Sequence, residues 1–126
     1  MKINEIYKCP ICGNIVQLTH VGGGTLVCCG KPMELIEEKF SEEGLEKHLP
    51  VVTFENGLLK VNVGSIDHPM TEEHYIEWIE CIVEGNVFRK YLSPNDKPYA
   101  EFPIKEEKGV EVREYCNVHG LWSVTL

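Results

Sequence analysis

The metal-binding side chains of this sequence fall into two sets that do not interleave. Cys9, Cys12, Cys28 and Cys29 come first, and His48, His68, His74, Cys116 and His119 all lie downstream of them. Four thiolates close a tetrahedral site, which suits structure or electron storage and leaves no position for substrate. A mostly imidazole set with a single thiolate suits a redox-active iron or copper that keeps one position open. The partition predicts a small redox metalloenzyme in which substrate meets the second set.

Length limits the architecture. A chain of 126 residues holds one ordinary domain, or a domain of about 90 residues with a small lobe that needs a metal staple because it buries too little apolar surface alone. The cysteine distribution favours the second arrangement, with a lobe at 1–37 and a larger domain at 38–126. No apolar run approaches the roughly 20 residues of a membrane span, and the opening Met1-Lys2-Ile3-Asn4-Glu5-Ile6 lacks a signal-peptide core. A cytoplasmic location is the expectation, and in that reducing compartment CxxC spacing reads as metal ligands or redox thiols rather than disulfides. A net charge of -8 argues against general nucleic-acid binding, and an anionic substrate would need a local positive field.

Within the lobe, Cys9-Pro10-Ile11-Cys12-Gly13 and Cys28-Cys29-Gly30 each end in glycine, which permits the positive backbone angles of a tight knuckle around thiolate sulfur. Two knuckles would pinch one metal. A structural zinc ribbon is the ordinary reading of paired cysteines. The adjacent pair Cys28-Cys29 is unusual for a ribbon, because neighbouring side chains diverge and reach one metal only through a distorted turn. Both readings stand at this level.

A charged, helix-compatible stretch from Glu34 to Leu45 links the lobes, with Ser41-Glu42-Glu43-Gly44 as a solvated turn. Beyond it come seven short β-type runs: Val51 to Phe54, Leu58 to Val63, Ile76 to Val83, Val87 to Leu92, Tyr99 to Ile104, Val110 to Tyr115 and Leu121 to Leu126. Asn56-Gly57, Gly85-Asn86, Ser93-Pro94-Asn95-Asp96 and Lys108-Gly109 supply the turns between them. The expected fold is all-β, a small metal lobe followed by a β-sandwich of immunoglobulin-like topology. The run Ile76 to Val83 alternates poorly and reads as a strand on its β-branched and aromatic content rather than its period.

The second ligand set falls at strand ends and in turns, where a rigid sandwich can hold a metal with one face reachable. Each histidine taken singly reads as a surface or hydrogen-bonded residue. Together with the CxxH pair Cys116 and His119 they form a candidate site, for which a second structural zinc is the competing reading. His20 has no partner suggested by spacing, and Cys81 reads as a small buried apolar residue.

Four segments carry a more specific signal: Glu46-Lys47-His48-Leu49-Pro50, Gly64-Ser65-Ile66-Asp67-His68-Pro69-Met70, His74-Tyr75-Ile76-Glu77-Trp78-Ile79 and Cys116-Asn117-Val118-His119-Gly120-Leu121-Trp122. They resemble the signature segments of desulfoferrodoxin, the two-iron form of superoxide reductase, and the N-terminal lobe is similar to desulforedoxin. The resemblance implies one Fe(Cys)4 centre on Cys9, Cys12, Cys28 and Cys29. It implies a catalytic Fe(His)4(Cys) centre with His48, His68, His74 and His119 equatorial and Cys116 axial. It further implies superoxide as substrate, a homodimer, a rubredoxin-type electron donor, and Glu46 as the carboxylate that ligates the ferric iron once product leaves. Within that reading, Lys47, beside His48, attracts the small anion and delivers a proton through water. Without it, Glu46-Lys47 is an exposed charged turn. Cys81 departs from the family pattern.

Overall fold

The computed structural model describes residues 1–41, 44–105 and 108–126. The chain divides into two compact units, Met1–Glu37 and Glu38–Leu126.

Unit 1 is built from very short strands. β1 (Ile6–Lys8) lies between β2 (Ile15–Gln17) and β5 (Glu34–Ile36) in an antiparallel sheet, and β3 (Val27–Cys28) pairs with β4 (Lys31–Pro32) in a hairpin. Only Ile6, Tyr7 and Cys9 of this unit are buried. So few apolar side chains cannot offset the ordering entropy of the backbone, and the unit needs a cross-link of another kind.

Unit 2 is a sandwich. β6 (Glu38–Lys39) and the four-residue helix α1 (Leu45–His48) precede β7 (Pro50–Glu55), β8 (Leu58–Val63), β9 (Ile76–Val83), β10 (Asn86–Tyr91), β11 (Tyr99–Phe102), β12 (Glu111–Cys116) and β13 (Gly120–Thr125). One sheet runs β11-β8-β7 and the other β10-β9-β12-β13-β6. The first, second and fifth long strands thus face the third, fourth, sixth and seventh, an immunoglobulin-like arrangement with the fourth strand beside the third. Between the sheets lies one apolar cluster, which includes Leu59, Val61 and Val63 of β8, Ile79 and Cys81 of β9, Ala100 and Phe102 of β11, and Val112 and Cys116 of β12.

The hairpins follow from their turn residues. Asn56 and Gly57 both take positive φ, 55° and 76°, as a two-residue turn matched to strand twist requires. The β9–β10 turn sits one residue earlier than the sequence predicts: Glu84 and Gly85 take φ of 47° and 77°, and Asn86 opens β10.

The poor alternation of β9 has a physical cause. Against β12 the register runs Trp78 to Tyr115 and then Ile76 to Cys116, leaving Glu77 as an extra residue. Such a bulge reverses the facing of the strand, so Ile76 and Ile79 both point into the core although three positions separate them. On the opposite face Glu80 lies in register with Arg89 on one side and Arg113 on the other. It is fully buried, and its carboxylate accepts from Arg113 Nε at 2.6 Å and from Arg89 Nε at 3.1 Å.

The link between the units corrects the sequence reading. The described residues before Leu45 form no helix: Glu34–Ile36 pairs with β1, Glu38–Lys39 pairs in parallel with β13, and α1 begins only at Leu45. Strand pairing overrides the weak helical preference of an exposed, charged stretch. Ser41 and Gly44 of the expected turn are described, while Glu42 and Glu43 lie outside the described residues.

Candidate metal centres

The thiolate set gathers in unit 1. The donor atoms of Cys9, Cys12, Cys28 and Cys29 all lie within 4.8 Å of one another. Cys12 and Cys28 sulfurs stand 3.6 Å apart and those of Cys28 and Cys29 4.0 Å apart. A tetrahedron of thiolates with metal–sulfur bonds of about 2.3 Å has edges of about 3.8 Å, so the spacing fits a single ion. Adjacent cysteines converge because Cys29 adopts a left-handed backbone, φ 54°, followed by Gly30 at 74°. That is the distorted turn the Cys28-Cys29 pair demands.

Charge in this pocket needs a cation. The amide N–H groups of Cys12 and Ile11 each donate to Cys9 sulfur at 3.4 Å, and they hold its thiol down to about 6. Cys29 is pushed up to about 12, chiefly by its thiol contacts with Cys12 and Cys28. Without an ion the four sulfurs resist joint ionisation; with one they become a ligand set.

The second set gathers at one end of the sandwich of unit 2. His48 ends α1, His68 and His74 flank the turn at Pro69–Glu73, Cys116 ends β12 and His119 precedes β13. The four imidazoles form a closed ring. Centroids of His48 and His68, His68 and His74, His74 and His119, and His119 and His48 are 4.7, 4.7, 5.0 and 4.8 Å apart, every pair edge to face. His48 Nε2 lies 3.1 Å from both His68 Nε2 and His119 Nδ1. Adjacent corners of a square of nitrogens bonded at about 2.1 Å are about 3 Å apart, so the ring fits one ion at its centre. His74 closes it with an Nε2 that is buried and lacks a hydrogen-bond partner. Cys116 sulfur is 3.9 Å from His119 Nδ1, within the same donor cluster.

Hydrogen bonds behind the ring fix which nitrogen faces inward. His48 Nδ1 donates to the Gly44 carbonyl at 2.8 Å and His68 Nδ1 to the Pro69 carbonyl at 2.7 Å, which leaves both Nε2 lone pairs for metal. Burial lowers the basicity of His48 and His74, and lowers that of His68 to about 4. These rings are therefore neutral at pH 7, as ligands must be. Burial pushes the Cys116 thiol up, opposed by the amides of His119 and Val118, with His119 N–H donating to the sulfur at 3.3 Å. A buried thiolate here is stabilised by a cation.

Several supporting residues escaped the sequence reading. Trp122 stacks on His48, centroids 4.8 Å apart and 16° from parallel, and its Nε1 donates to the His119 carbonyl at 3.1 Å. Asn117 ties the CxxH turn to the His74 turn, accepting from Tyr75 N–H at 3.0 Å and donating to the Glu73 carbonyl at 3.0 Å. Their place inside the Cys116 to Trp122 segment is the one sequence signal that could have flagged them. Glu46 and Lys47 are exposed on α1, and the Lys47 charge contributes to the lowered basicity of His74. His20 is exposed and belongs to neither donor cluster, and Cys81 is a fully buried core residue.

Two family models match the chain, one along each unit. Residues 40–125 match the family model described as desulfoferrodoxin, and residues 2–36 match that of the desulfoferrodoxin N-terminal domain. A desulfoferrodoxin homolog of Archaeoglobus fulgidus is 54% identical over 121 residues, covering 96% of each chain. A desulfoferrodoxin of Nitratidesulfovibrio vulgaris is 55% identical over 118 residues, covering 94% of this chain and 93% of its own. The crystal structure of the superoxide reductase from Treponema pallidum superposes with a TM-score of 0.76 at 28% identity, covering 99% of this chain and 100% of that one. Matched along both units, and sharing half its residues with relatives of nearly equal length, the chain belongs to the desulfoferrodoxin family.

Proposed function

We propose that the protein is a superoxide reductase carrying two non-haem irons, Fe(Cys)4 on Cys9, Cys12, Cys28 and Cys29, and Fe(His)4(Cys) on His48, His68, His74, His119 and Cys116. The observation that carries this reading is the closed ring of four imidazoles with one buried cysteine. The reaction adds one electron and two protons to superoxide and yields hydrogen peroxide. An iron held by the four imidazoles and Cys116 would supply the electron. The chain's own groups do the rest. Gly44 and Pro69 carbonyls hold two rings in the ligating tautomer, and Cys116 presents sulfur in an apolar, amide-lined site. The Lys47 ammonium attracts the anion against a net charge of -8 and holds a water that gives up a proton. Glu46, on the same helix, would offer its carboxylate to the metal once oxidised.

Electrons come from a rubredoxin-type donor, and the protein works in the cytoplasm as a homodimer; no helix of the described chain is long and apolar enough to cross a membrane. Support for the dimer comes from unit 1, which leaves Ile3, Ile11, Val16, Val27 and Leu35 exposed.

Pulse radiolysis of the reduced protein tests the assignment. Cys116→Ser is expected to remove the sulfur-to-iron absorption band and slow the reaction by about a hundredfold, roughly 2.7 kcal/mol. Lys47→Ile is expected to slow it about tenfold and flatten its salt dependence, while Glu46→Ala leaves the first rate unchanged and alters the oxidised spectrum. Full activity in the Cys116 variant would overturn the ligand set.

A further inference from the structure

The helix that carries Glu46, Lys47 and His48 cannot hold itself. It has one turn, Leu45–His48, and its N-cap Gly44 offers no side-chain hydrogen bond. The Glu46 carbonyl would ordinarily accept from the amide four residues on, but that residue is Pro50, which has no N–H. The orphaned carbonyl is taken up elsewhere. It accepts from the Ile66 amide at 3.0 Å and from the Ser65 hydroxyl at 3.2 Å, while Gly64 N–H donates to the Leu49 carbonyl at 3.3 Å.

The fit is close. Gly64 has φ +86°, and a Cβ there would lie 2.7 Å from the Lys47 carbonyl oxygen, 2.8 Å from that of Glu46 and 2.3 Å from that of Ile66. Asn62 braces the turn from behind, its side-chain amide donating to the Gly64 carbonyl and to Asp67, both at 2.9 Å. Gly64, Ser65 and Ile66 therefore form a seat against which the backbone of Glu46 and Lys47 is pinned. The two side chains project into solvent, so only the backbone sets where their charges stand.

We infer that the Gly64–Ser65–Ile66 turn positions the Lys47 ammonium for anion capture, with Ser65 as a positioning residue whose hydroxyl fixes the Glu46 carbonyl that Pro50 leaves unbonded. The inference rests on the role proposed for Lys47. Ser65 is exposed and the Ile66 amide serves the same carbonyl, so loss of the hydroxyl loosens the seat without removing a core contact.

The experiment uses the full chain with both irons. Ser65→Ala, Ser65→Thr, Lys47→Ile and the Ser65→Ala/Lys47→Ile double variant are compared in azide affinity of the oxidised protein and in superoxide rate of the reduced protein, each across ionic strength. Ser65→Ala is expected to keep the parent iron content and spectra, weaken azide and slow superoxide by about threefold, and lower both salt slopes. Ser65→Thr, which keeps the hydroxyl, restores the parent values. The double variant is no worse than Lys47→Ile alone, because both changes act through one charge. If Lys47→Ile flattens the slopes while Ser65→Ala keeps them, or if the two losses add in the double variant, the seat is wrong and the role of Lys47 stands. If Lys47→Ile itself keeps the parent slopes, both fall together.

Discussion

The two units solve the problem of holding a metal in opposite order. Unit 1 has three buried apolar residues, strands of two or three residues, and four sulfurs whose closeness depends on what they bind. Unit 2 has a continuous apolar cluster between two sheets, and its imidazole ring hangs from strand ends that the cluster already fixes. In the first, the metal contributes to folding; in the second, folding prepares the metal site. A closed thiolate site can serve as a staple, while a substrate-facing site gains from a frame that keeps its shape through changes of ligand and charge.

Metal removal is the severest test of that difference. Stripping both sites at neutral pH should unfold unit 1, where ion binding supplies on the order of 10 kcal/mol, and leave the sandwich folded. Cys12→Ser should do the same to unit 1 alone, abolishing the thiolate-iron colour while the superoxide reaction survives. Amide hydrogen exchange read residue by residue decides the matter: persistent protection in unit 1 after stripping would erase the contrast.

A smaller effect probes the frame of unit 2. Glu80→Ala takes from the buried Arg113 guanidinium the nearer of its two carboxylates and leaves it Glu38 at 3.3 Å, at a cost of about 3 kcal/mol. Urea unfolding should shift for the sandwich only, with the absorption of the thiolate site unchanged up to that transition. Loss of both units together would mean that they share stability.

The smallest effect is a pH slope. Burial holds His68 down to about 4 from an ordinary 6.5, so between these values the unfolded chain binds a proton that the folded chain refuses. The His68 contribution to stability is therefore complete above pH 6.5 and lost as pH falls toward 4. Metal-free protein should show a steeper acid loss in urea midpoint than a His68→Gln variant over this window. Equal slopes would mean that the ring does not bury His68 as neutral.

Much of the frame is legible in the sequence because strands from Pro50 onward are short, β-branched and separated by turn residues of known geometry. The link at Glu34 to Leu45 is not legible, since an exposed charged stretch carries no period and only its neighbours β1 and β13 decide its form. The candidate ligands stand out by residue type. Their cyclic order around the ring does not, because it depends on which strand ends meet. Nor does the part played by Pro50, whose missing amide becomes meaningful only once the Gly64 turn is seen beneath Glu46.

The extra residue at Glu77 lets β9 bend on its way to the His74 turn without changing which side chains face the core. Deleting it would leave Ile76 opposite Cys116 and two positions before Ile79, so both would still face the core in a regular ladder. What the bulge supplies is therefore a bend and added twist at the end of β9 that leads to His74, rather than the inward facing of Ile76.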